Sequence, residues 1–202
     1  MIELELKYNI GVFPNLLGCF TEQPMSRVLD IYYDNTNYDL LHTGIFIRQR
    51  GKRIDIKYLI SEDDHSVCNE YNVEHDFFHK QNTTLLDILP KLNLKFSGTN
   101  FETFLKENNL CVLLKIDKIR KKYKEDNVTV CFDEVQGLGR FIEIESTFPE
   151  LKDIQMAKSA LQKIVKQKIK FQGEYHEEHT GYVELYLKQH NPVAYERCLF
   201  KG

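Results

Sequence analysis

The sequence lacks the features that mark several common classes of protein. It has no apolar run long enough to cross a bilayer, and its start, MIELELKYNI, lacks the basic segment and apolar run of a secretory signal. No stretch rich in proline, glycine or serine divides the 202 residues, and no segment repeats at a fixed period. We therefore expect one cytoplasmic domain over residues 1–202, with no membrane partner.

An excess of positive charge and clustered cysteines are also missing. Lys and Arg number 27 against 30 Asp and Glu, a formal net charge of −3, so the surface is not broadly cationic. We therefore expect no nucleic-acid partner. The five cysteines are widely spaced without a C-x-x-C pair, which argues against a zinc ribbon or a thioredoxin-type site. The pattern does not indicate an oligomeric state.

Alternation of polar and apolar residues with a period of two is what the sequence does contain, and it is typical of β-strands. The predicted strands are residues 2–8, 27–34, 44–50, 53–60, 67–76, 110–123, 127–134 and 140–147. The predicted helices are residues 83–95, 100–108 and 150–169, with a last helix within 180–199. Residues 176–179, His-Glu-Glu-His, have the wrong order for an H-E-x-x-H zinc helix, so we interpret them as a solvated connection.

The polar faces of these strands carry charged residues in strict register, which permits two interpretations. Each face is ordinary solvent-exposed surface, or the faces together line an interior. Closing the strands into a barrel would turn the charged faces inward, which is costly unless the charges pair or meet a charged ligand. Because six strands share the pattern, we favour the lined interior.

Two pairs of acidic residues suggest a metal site. Glu3 and Glu5 form one pair and Glu143 and Glu145 the other, with Asp133 on the preceding arm of a predicted hairpin. Residues i and i+2 of a strand lie about 6.5–7 Å apart on one face, where two carboxylates repel unless a cation neutralises them. Oxygen ligands of this kind suit Mg²⁺ or Mn²⁺ and not zinc.

A set of basic residues on the same strand faces suggests an anionic ligand. The set consists of Lys7, Arg48, Arg50, Lys57, Lys118 and Arg120. Guanidinium groups match the geometry of phosphate oxygens, and lysines supply compact point charges. A polyphosphate chain with bound metal ions fits a site of mixed charge. The alternative is that these groups only form surface salt bridges, each worth ~0–1 kcal/mol.

The order of these motifs resembles that of the CYTH superfamily, the triphosphate tunnel metalloenzymes. The similar segments are Glu3-x-Glu5-x-Lys7, Tyr32-Tyr33-Asp34-Asn35, Ile47-Arg48-Gln49-Arg50, Ile56-Lys57, Lys118-Ile119-Arg120 and the hairpin from Phe132 to Glu145. They extend over almost the whole chain. No single segment is specific, but the ordered set is.

The resemblance implies an α+β fold, a closed antiparallel eight-stranded β-barrel (a tunnel) with flanking helices. It also implies a small-molecule triphosphate as substrate and Mg²⁺ or Mn²⁺ as cofactor. The implied metal ligands are Glu3, Glu5, Asp133, Glu143 and Glu145. The implied phosphate-binding residues are Lys7, Arg48, Arg50, Lys57 and Arg120, with Lys118, and Glu70 would help to orient water.

The implied reaction is metal-dependent hydrolysis of thiamine triphosphate or inorganic tripolyphosphate. Lys57, or a pair formed by Lys7 and Tyr32, would supply the proton to the leaving group. One departure is Tyr182, which stands where animal thiamine triphosphatases carry a phosphate-binding lysine. The alternatives are a class IV adenylyl cyclase that forms cyclic AMP from ATP, and a module that binds polyphosphate or nucleotide without catalysis.

Overall fold

A computed structural model describes residues 1–60, 66–79, 81–150, 153–199 and 201 of the chain. The strands in these residues are β1 (Ile2–Leu16), β2 (Thr21–Glu22), β3 (Ser26–Asp34), β4 (Ile45–Arg50), β5 (Arg53–Leu59), β6 (Val67–Glu74), β7 (Cys111–Glu125), β8 (Val128–Val135), β9 (Gly139–Phe148) and β10 (Ile169–Glu178). The helices are α1 (Asp39–Thr43), α2 (Thr83–Lys91), α3 (Phe101–Glu107), α4 (Ile154–Lys168), α5 (Tyr182–His190) and α6 (Pro192–Tyr195), with a 3-10 turn at His75–Phe77. None of the helices in the described ranges has the length and apolarity needed to span a membrane.

Eight of the strands form a closed antiparallel barrel. Their order is β1-β6-β5-β4-β3-β7-β8-β9, and β9 pairs with β1 to complete the ring. The closing register extends from Ile2 opposite Phe148 to Ile10 opposite Arg140. Because every strand alternates, closure gives each one an inner and an outer face. The predicted eight-stranded barrel is confirmed.

The outer face of the barrel is apolar and is covered by helices. Helix α4 packs Leu161 and Val165 against β1 and β9. Helices α2 and α3 cover β4, β5 and β6 through a cluster rich in phenylalanine and leucine. Helices α1, α5 and α6 pack at one end of the barrel. The apolar residues of the alternating pattern therefore point outward, as burial of apolar area requires, and the charged residues point inward.

Strand β10 was not predicted: residues 176–178, interpreted as part of a solvated connection, are mostly exposed as expected but belong to this strand. Residues up to Glu178 extend β10, which pairs with the second half of β1, whose predicted end at residue 8 is also too early. The pattern is hard to recognise because Gly173, with φ of 76°, interrupts the alternation beside an irregular register. Aromatic packing joins the strand to β1, since the rings of Phe171 and Tyr8 have centroids 5.2 Å apart.

Helix α4 is shorter than the predicted helix at residues 150–169. It begins after Asp153, whose carboxylate accepts a hydrogen bond from the backbone N–H of Met156 at 2.8 Å. Such an N-cap satisfies one of the free amide groups of the first turn. Residues 151 and 152, which the predicted helix includes, lie outside the described residues.

Candidate active site

The inner faces of the barrel strands surround a cavity of about 800 Å³. Its lining includes every site residue predicted from the sequence except Asp133: Glu3, Glu5, Lys7, Tyr32, Arg48, Arg50, Lys57, Glu70, Lys118, Arg120, Glu143 and Glu145. The predicted residues in this lining come from seven strands, so closure of the barrel is what brings them together. Of the two interpretations of the charged faces, the lined interior is the one that the fold adopts.

Three of the predicted metal ligands form a cluster of carboxylates. Glu3 and Glu5 lie two residues apart on β1, and Glu145 lies directly opposite Glu5 on β9. Each of the three offers a carboxylate oxygen that lies within 4.8 Å of the oxygens offered by the other two. The antiparallel register of β1 and β9 therefore joins the two acidic pairs of the sequence into one site.

The carboxylate cluster is only partly neutralised by the protein. Burial raises the pKa of Glu3, Glu5 and Glu145 above the usual value for glutamate, and the proximity of like charges adds to this rise. The Nζ of Lys57 lies 2.6 Å from Glu3 Oε1, and the Nζ of Lys7 lies 2.8 Å from Glu5 Oε1. These two lysines reduce the rise in the pKa values of Glu3 and Glu5 but do not reverse it.

The donor set of this cluster fits a hard divalent cation. Three carboxylate groups supply oxygen ligands, and open space beside them in the cavity leaves room for water or phosphoryl oxygens. Mg²⁺ and Mn²⁺ are bound in proteins by a few carboxylates together with water and substrate oxygens. Glu3, Glu5 and Glu145 are therefore the residues that would hold such an ion.

The other two predicted metal ligands, Asp133 and Glu143, both contact Arg120. The Nε of Arg120 donates to Asp133 Oδ1 at 2.6 Å, and its second nitrogen contacts both carboxylates. Burial would raise the pKa of Glu143, but Arg120 and Lys7 outweigh burial and hold this pKa well below its usual range. Glu143 is thus an ionised partner of a buried guanidinium group, to which Asp133 is also hydrogen-bonded.

Arg48 and Arg50, both predicted to bind phosphate, are also held by buried acids. Arg48 donates two hydrogen bonds to Asp55 Oδ2, at 2.8 and 2.6 Å. Arg50 donates to the two carboxylate oxygens of Asp30 at 2.5 and 2.8 Å. Burial would raise the pKa of Asp30, but the neighbouring guanidinium groups outweigh it and lower this pKa. Each arginine is therefore fixed in direction before any ligand binds.

Asp30, Asp55 and Asn72 were not identified as site residues from the sequence. With its amide nitrogen turned toward the acids, Asn72 donates to Asp55 Oδ1 at 2.5 Å and to Glu70 Oε1 at 3.2 Å. The period of two could have identified them, because each of the three lies two residues from a predicted site residue and therefore on the same face of its strand. These three residues hold the ligand-facing side chains in place and are not themselves charged groups of the predicted acidic pairs or the basic set.

Lys57 and Glu70 connect the arginines to the carboxylate cluster. Lys57 lies directly opposite Glu70 in the pairing of β5 with β6. Its Nζ is 3.6 Å from Glu70 Oε1, which is also 3.6 Å from Arg48. Burial would raise the pKa of Glu70, but Lys57 and Arg48 outweigh burial and lower it. Glu70 is therefore an ionised acceptor beside the cluster, where it was predicted to orient water.

Tyr182 lies between two lysines at the deep end of the cavity. Its ring centroid is 4.5 Å from Lys7 Nζ and 4.6 Å from Lys118 Nζ, and its hydroxyl donates to Asp133 Oδ2 at 2.9 Å. The aromatic face attracts both ammonium groups. Tyr32, which was predicted to pair with Lys7, lies opposite Arg48 in the pairing of β3 with β4. The tyrosine that contacts Lys7 is thus Tyr182.

Lys118 differs from Lys7 and Lys57 in the direction of its pKa shift. Burial and the adjacent Arg120 lower the pKa of Lys118 to about 8, although Glu143, Asp133 and Asp30 partly oppose this shift. The Lys118 Nζ lies 3.4 Å from Asp133 Oδ2 and 3.6 Å from Asp30 Oδ2. By contrast, nearby carboxylates outweigh burial at Lys7 and raise its pKa. Lys118 is therefore the buried ammonium group that gives up its proton most readily.

The segment Tyr32-Tyr33-Asp34-Asn35 divides between the site and the scaffold. Tyr32 lines the cavity. The Asp34 carboxylate instead accepts hydrogen bonds from the backbone N–H groups of Leu40 and Leu41, each at 3.0 Å. The second half of this segment therefore holds helix α1 against the end of the barrel.

Helix α5 closes one end of the cavity. Tyr182 in its first turn packs edge-on against Phe141, with ring centroids 5.1 Å apart. The buried carboxylate of Glu184 fills the space beside Gly181, where a Cβ would come within 2.6 Å of Glu184 Oε2. Glycine at position 181 thus permits the close approach of the Glu184 carboxylate.

Comparison with known proteins agrees with this architecture. Residues 1–186 match the model of the CYTH domain. No curated protein sequence matches the chain significantly.

Three solved structures share the fold over nearly all of the chain. The PH1819 protein of Pyrococcus horikoshii is 25% identical, with a TM-score of 0.56, and the match covers 93% of this chain and 99% of that one. A conserved hypothetical protein of Pyrococcus furiosus is 19% identical, with a TM-score of 0.52 and coverage of 91% and 99%. A proposed adenylate cyclase of Vibrio parahaemolyticus is 16% identical, with a TM-score of 0.55 and coverage of 92% and 98%.

Proposed function

Because the chain belongs to the CYTH domain family, whose members act on triphosphates with a divalent cation, we propose that it is a triphosphate hydrolase. Its substrate would be thiamine triphosphate or inorganic tripolyphosphate, and the bond cleaved would be the terminal phosphoanhydride. One observation carries the proposal: a cluster of carboxylates and a set of buried cations line the same cavity. Neither feature alone would indicate a triphosphate hydrolase, because cations bind any polyanion and carboxylates bind any hard metal ion.

The arginines and lysines of the cavity would bind the phosphoryl groups of the substrate. Arg48, Arg50 and Arg120 are each fixed by a buried acid, so their remaining N–H groups are directed before a phosphoryl group arrives. Preorganised donors of this kind stabilise charge that develops during phosphoryl transfer without reorganising at that moment. Lys7, Lys57 and Lys118 add point charges along the same cavity.

Hydrolysis requires that a water oxygen form a bond to the terminal phosphorus while the bond to the bridging oxygen breaks. Glu3, Glu5 and Glu145 would hold the divalent cation, which when bound would supply Lewis-acid chemistry at the site of phosphoryl transfer. Glu70, whose pKa is lowered and which contacts Lys57, would accept a hydrogen bond from the attacking water. The products are orthophosphate and a diphosphate.

The leaving diphosphate oxygen gains charge and needs a proton or a cation. Lys57, or Lys7 with Tyr32, was predicted to supply the proton, but nearby carboxylates outweigh burial at Lys57 and Lys7 and raise the pKa of both lysines. Lys118, with a pKa lowered to about 8, is favoured as the donor because catalysis by proton transfer is most effective when the pKa is near the working pH.

The proposal is tested by a panel of phosphate-release assays. Purified protein is incubated with tripolyphosphate, thiamine triphosphate and ATP, each with Mg²⁺, with Mn²⁺ and with EDTA. We expect orthophosphate from at least one of the first two substrates in the presence of metal and none in EDTA. Arg48→Gln should lower kcat/KM by about 100-fold, whereas the matched control Arg27→Gln, at an exposed pair with Asp117, should not. Absence of orthophosphate under every condition would contradict the proposal.

A cyclase is the second candidate, and one feature of the cavity favours it. Phe46 lines the cavity and offers an aromatic face on which an organic ring could stack. The Vibrio parahaemolyticus protein of the same fold is itself a proposed adenylate cyclase. In that reaction the ribose 3′-hydroxyl attacks the α-phosphorus of ATP and pyrophosphate leaves. Cyclic AMP without orthophosphate in the ATP assay would select the cyclase over the hydrolase.

A further inference from the structure

Two of the five cysteines face the interior of the barrel, and both lie beside the carboxylate cluster. Cys68 of β6 lies directly opposite Glu3 of β1, and its side chain lines the cavity. Cys131 of β8 lies opposite Glu143, which also faces the interior, and its side chain is 0% exposed. The order of the strands in this part of the ring is β6-β1-β9-β8, so the two thiols lie on either side of the cluster.

The other three cysteines have ordinary surroundings. Cys19 and Cys111 are exposed, and Cys198 packs in the apolar cluster around α5 and α6. A buried cysteine usually serves as a small apolar residue. Cys68 and Cys131 instead lie among the charged side chains of the cavity wall. Apolar packing therefore does not explain why these two positions carry sulfur.

The Cys131 thiol is close enough to Glu145 for the two side chains to share a cation. The Sγ of Cys131 lies 4.0 Å from Glu145 Oε1. Zinc–sulfur bonds are about 2.3 Å long and zinc–oxygen bonds about 2.0–2.2 Å, so a tetrahedral ion between the two atoms would hold them roughly 3.6 Å apart. A small rotation of either side chain therefore suffices to place this sulfur and this oxygen on one ion.

Cys68 offers a second sulfur on the side of Glu3. Residues that lie directly opposite each other in an antiparallel pair have Cβ atoms about 4.5–5.5 Å apart, so this thiol lies next to the first carboxylate of the cluster. Cys68 is half-buried and lines the cavity, so an ion in the cavity can reach it. The carboxylate cluster therefore has a sulfur donor at each of its two sides.

A disulfide between these two thiols is excluded by the order of the strands. Strands β1 and β9 lie between the strands that carry Cys68 and Cys131. Neighbouring strands are about 4.8 Å apart, so the two Cα atoms are roughly twice as far apart as a disulfide allows. Both cysteines are free. What the two thiols share is their position beside the carboxylate cluster.

Sulfur donors change which ions such a site prefers. Carboxylates alone suit Mg²⁺ and Mn²⁺, whereas thiolates are soft ligands that favour zinc and related thiophilic ions. We propose that Cys68 and Cys131 join the carboxylate cluster in a mixed sulfur and oxygen site whose ligand is a thiophilic divalent cation, represented by Zn²⁺. Each thiol gives its proton to solvent as the metal–sulfur bond forms.

This site goes beyond the proposed function, because binding of the thiophilic ion needs no triphosphate. The ion would use the same carboxylate oxygens that would hold Mg²⁺ or Mn²⁺. The two classes of cation therefore compete for the cluster, and the thiols decide the competition in favour of the thiophilic ion.

The test is X-ray absorption at the zinc edge, which identifies the atoms bonded to the ion. The reference protein is Cys19→Ser/Cys111→Ser, which lacks the exposed thiols and is loaded with an equimolar amount of Zn²⁺. We expect a sulfur shell at about 2.3 Å beside the oxygen shell. Adding Cys68→Ser/Cys131→Ser should remove the sulfur shell. The matched control Cys198→Ser, which changes a buried thiol elsewhere, should keep it.

Titrations with Zn²⁺ and with Mn²⁺ give the affinities of the same proteins. Cys68→Ser/Cys131→Ser should lower Zn²⁺ affinity at least about tenfold and change Mn²⁺ affinity less than about twofold, because Mn²⁺ prefers oxygen ligands. Retained Mn²⁺ binding also shows that the barrel is folded. Cys68→Ser alone, at the half-buried position, replaces the double variant if that variant does not fold. Because most sites bind Zn²⁺ more tightly than Mn²⁺, the loss caused by the substitutions is the deciding quantity.

Two outcomes would overturn this inference. One is a zinc spectrum of the reference protein with oxygen or nitrogen neighbours and no sulfur, which would leave the carboxylates as the ligands. The other is an equal loss of Zn²⁺ and Mn²⁺ affinity in the folded Cys68→Ser/Cys131→Ser variant, which would assign the two cysteines to the packing of the barrel wall. Neither measurement involves turnover. Failure of the hydrolase proposal would appear separately, as absence of orthophosphate with the sulfur shell intact.

Discussion

The deep arginines and the carboxylate cluster are both buried charged regions, but they are balanced in opposite ways. Arg48, Arg50 and Arg120 each have an acid of the protein within hydrogen-bond distance. Glu3, Glu5 and Glu145 instead face one another, and their pKa values are raised. The positive charges of the first region are neutralised by acids of the protein. The negative charges of the second region are fully neutralised only when a cation binds.

This difference separates groups that maintain the fold from groups that are strained for function. A buried ion pair destabilises the protein strongly when one partner is removed, because the other charge is left without compensation. A buried group of like charges should behave in the opposite way, since removing one member relieves repulsion. Substitutions in the two regions are therefore expected to have opposite effects on stability.

The largest effect on stability is expected at Asp55. Asp55→Ala leaves the guanidinium of Arg48 buried without its main partner, which should cost about 3 kcal/mol of unfolding free energy. Urea denaturation measures it. The matched control is Asp117→Ala, which removes an acid from an exposed pair with Arg27 and should have a far smaller effect. Equal losses in the two variants would remove the distinction between the deep pairs and surface pairs.

Glu145→Ala should lower the activity of the protein without lowering its stability. We expect metal-dependent turnover to fall by at least about 100-fold, because a ligand of the proposed ion is lost. Without metal, the variant should unfold at the same temperature as the wild type or a higher one, because repulsion within the cluster is reduced. Orthophosphate release and calorimetric unfolding measure the two quantities. Retention of wild-type activity would exclude Glu145 as a metal ligand.

The pH profile sharpens the assignment of the proton donor. If Lys118 donates, kcat should fall as the pH rises through about 8, where its ammonium group loses its proton. Lys118→Arg keeps the positive charge but not the titration, so its kcat should be about tenfold lower and lack this fall. If Lys57→Arg removes the fall instead, the proton comes from Lys57.

The smallest effect is expected when a change of pH alters the protonation of the carboxylate cluster and thereby its affinity for metal. Because the pKa values of Glu3, Glu5 and Glu145 are raised, protons compete with a metal ion, so Mn²⁺ affinity should increase severalfold as the pH rises through these raised values. In the absence of metal, stability from the same groups is present at low pH and is lost as the pH rises through their raised pKa values. Affinity that does not change with pH would contradict this electrostatic picture.

The parts of the molecule that follow from alternation were predictable from the sequence. Seven barrel strands agree with their predicted bounds to within a few residues, and β1 starts where predicted but extends further. Strand β10 was missed because a glycine in the left-handed region breaks its alternation and most of its side chains are exposed. The period of two therefore identifies strands of the barrel and fails for an irregular edge strand.

The sequence predicts which charged residues face the interior of the barrel. It does not predict which of them contact one another. The sequence places Glu3, Glu5 and Glu145 on inner faces, yet only the register of β1 with β9 brings them together. The same pattern groups Asp133 and Glu143 with those three, whereas the structure places both beside Arg120. Which acids meet a cation of the protein and which meet each other depends on strand pairing, which alternation does not specify.

The most direct test of the account is a crystal grown with Mn²⁺ and a non-hydrolysable triphosphate. Anomalous diffraction should show a manganese peak between the carboxylates of Glu3, Glu5 and Glu145, with the phosphoryl groups beside Arg48, Arg50 and Arg120. A manganese ion and a triphosphate bound only outside the barrel would contradict the central claim that its interior is the active site.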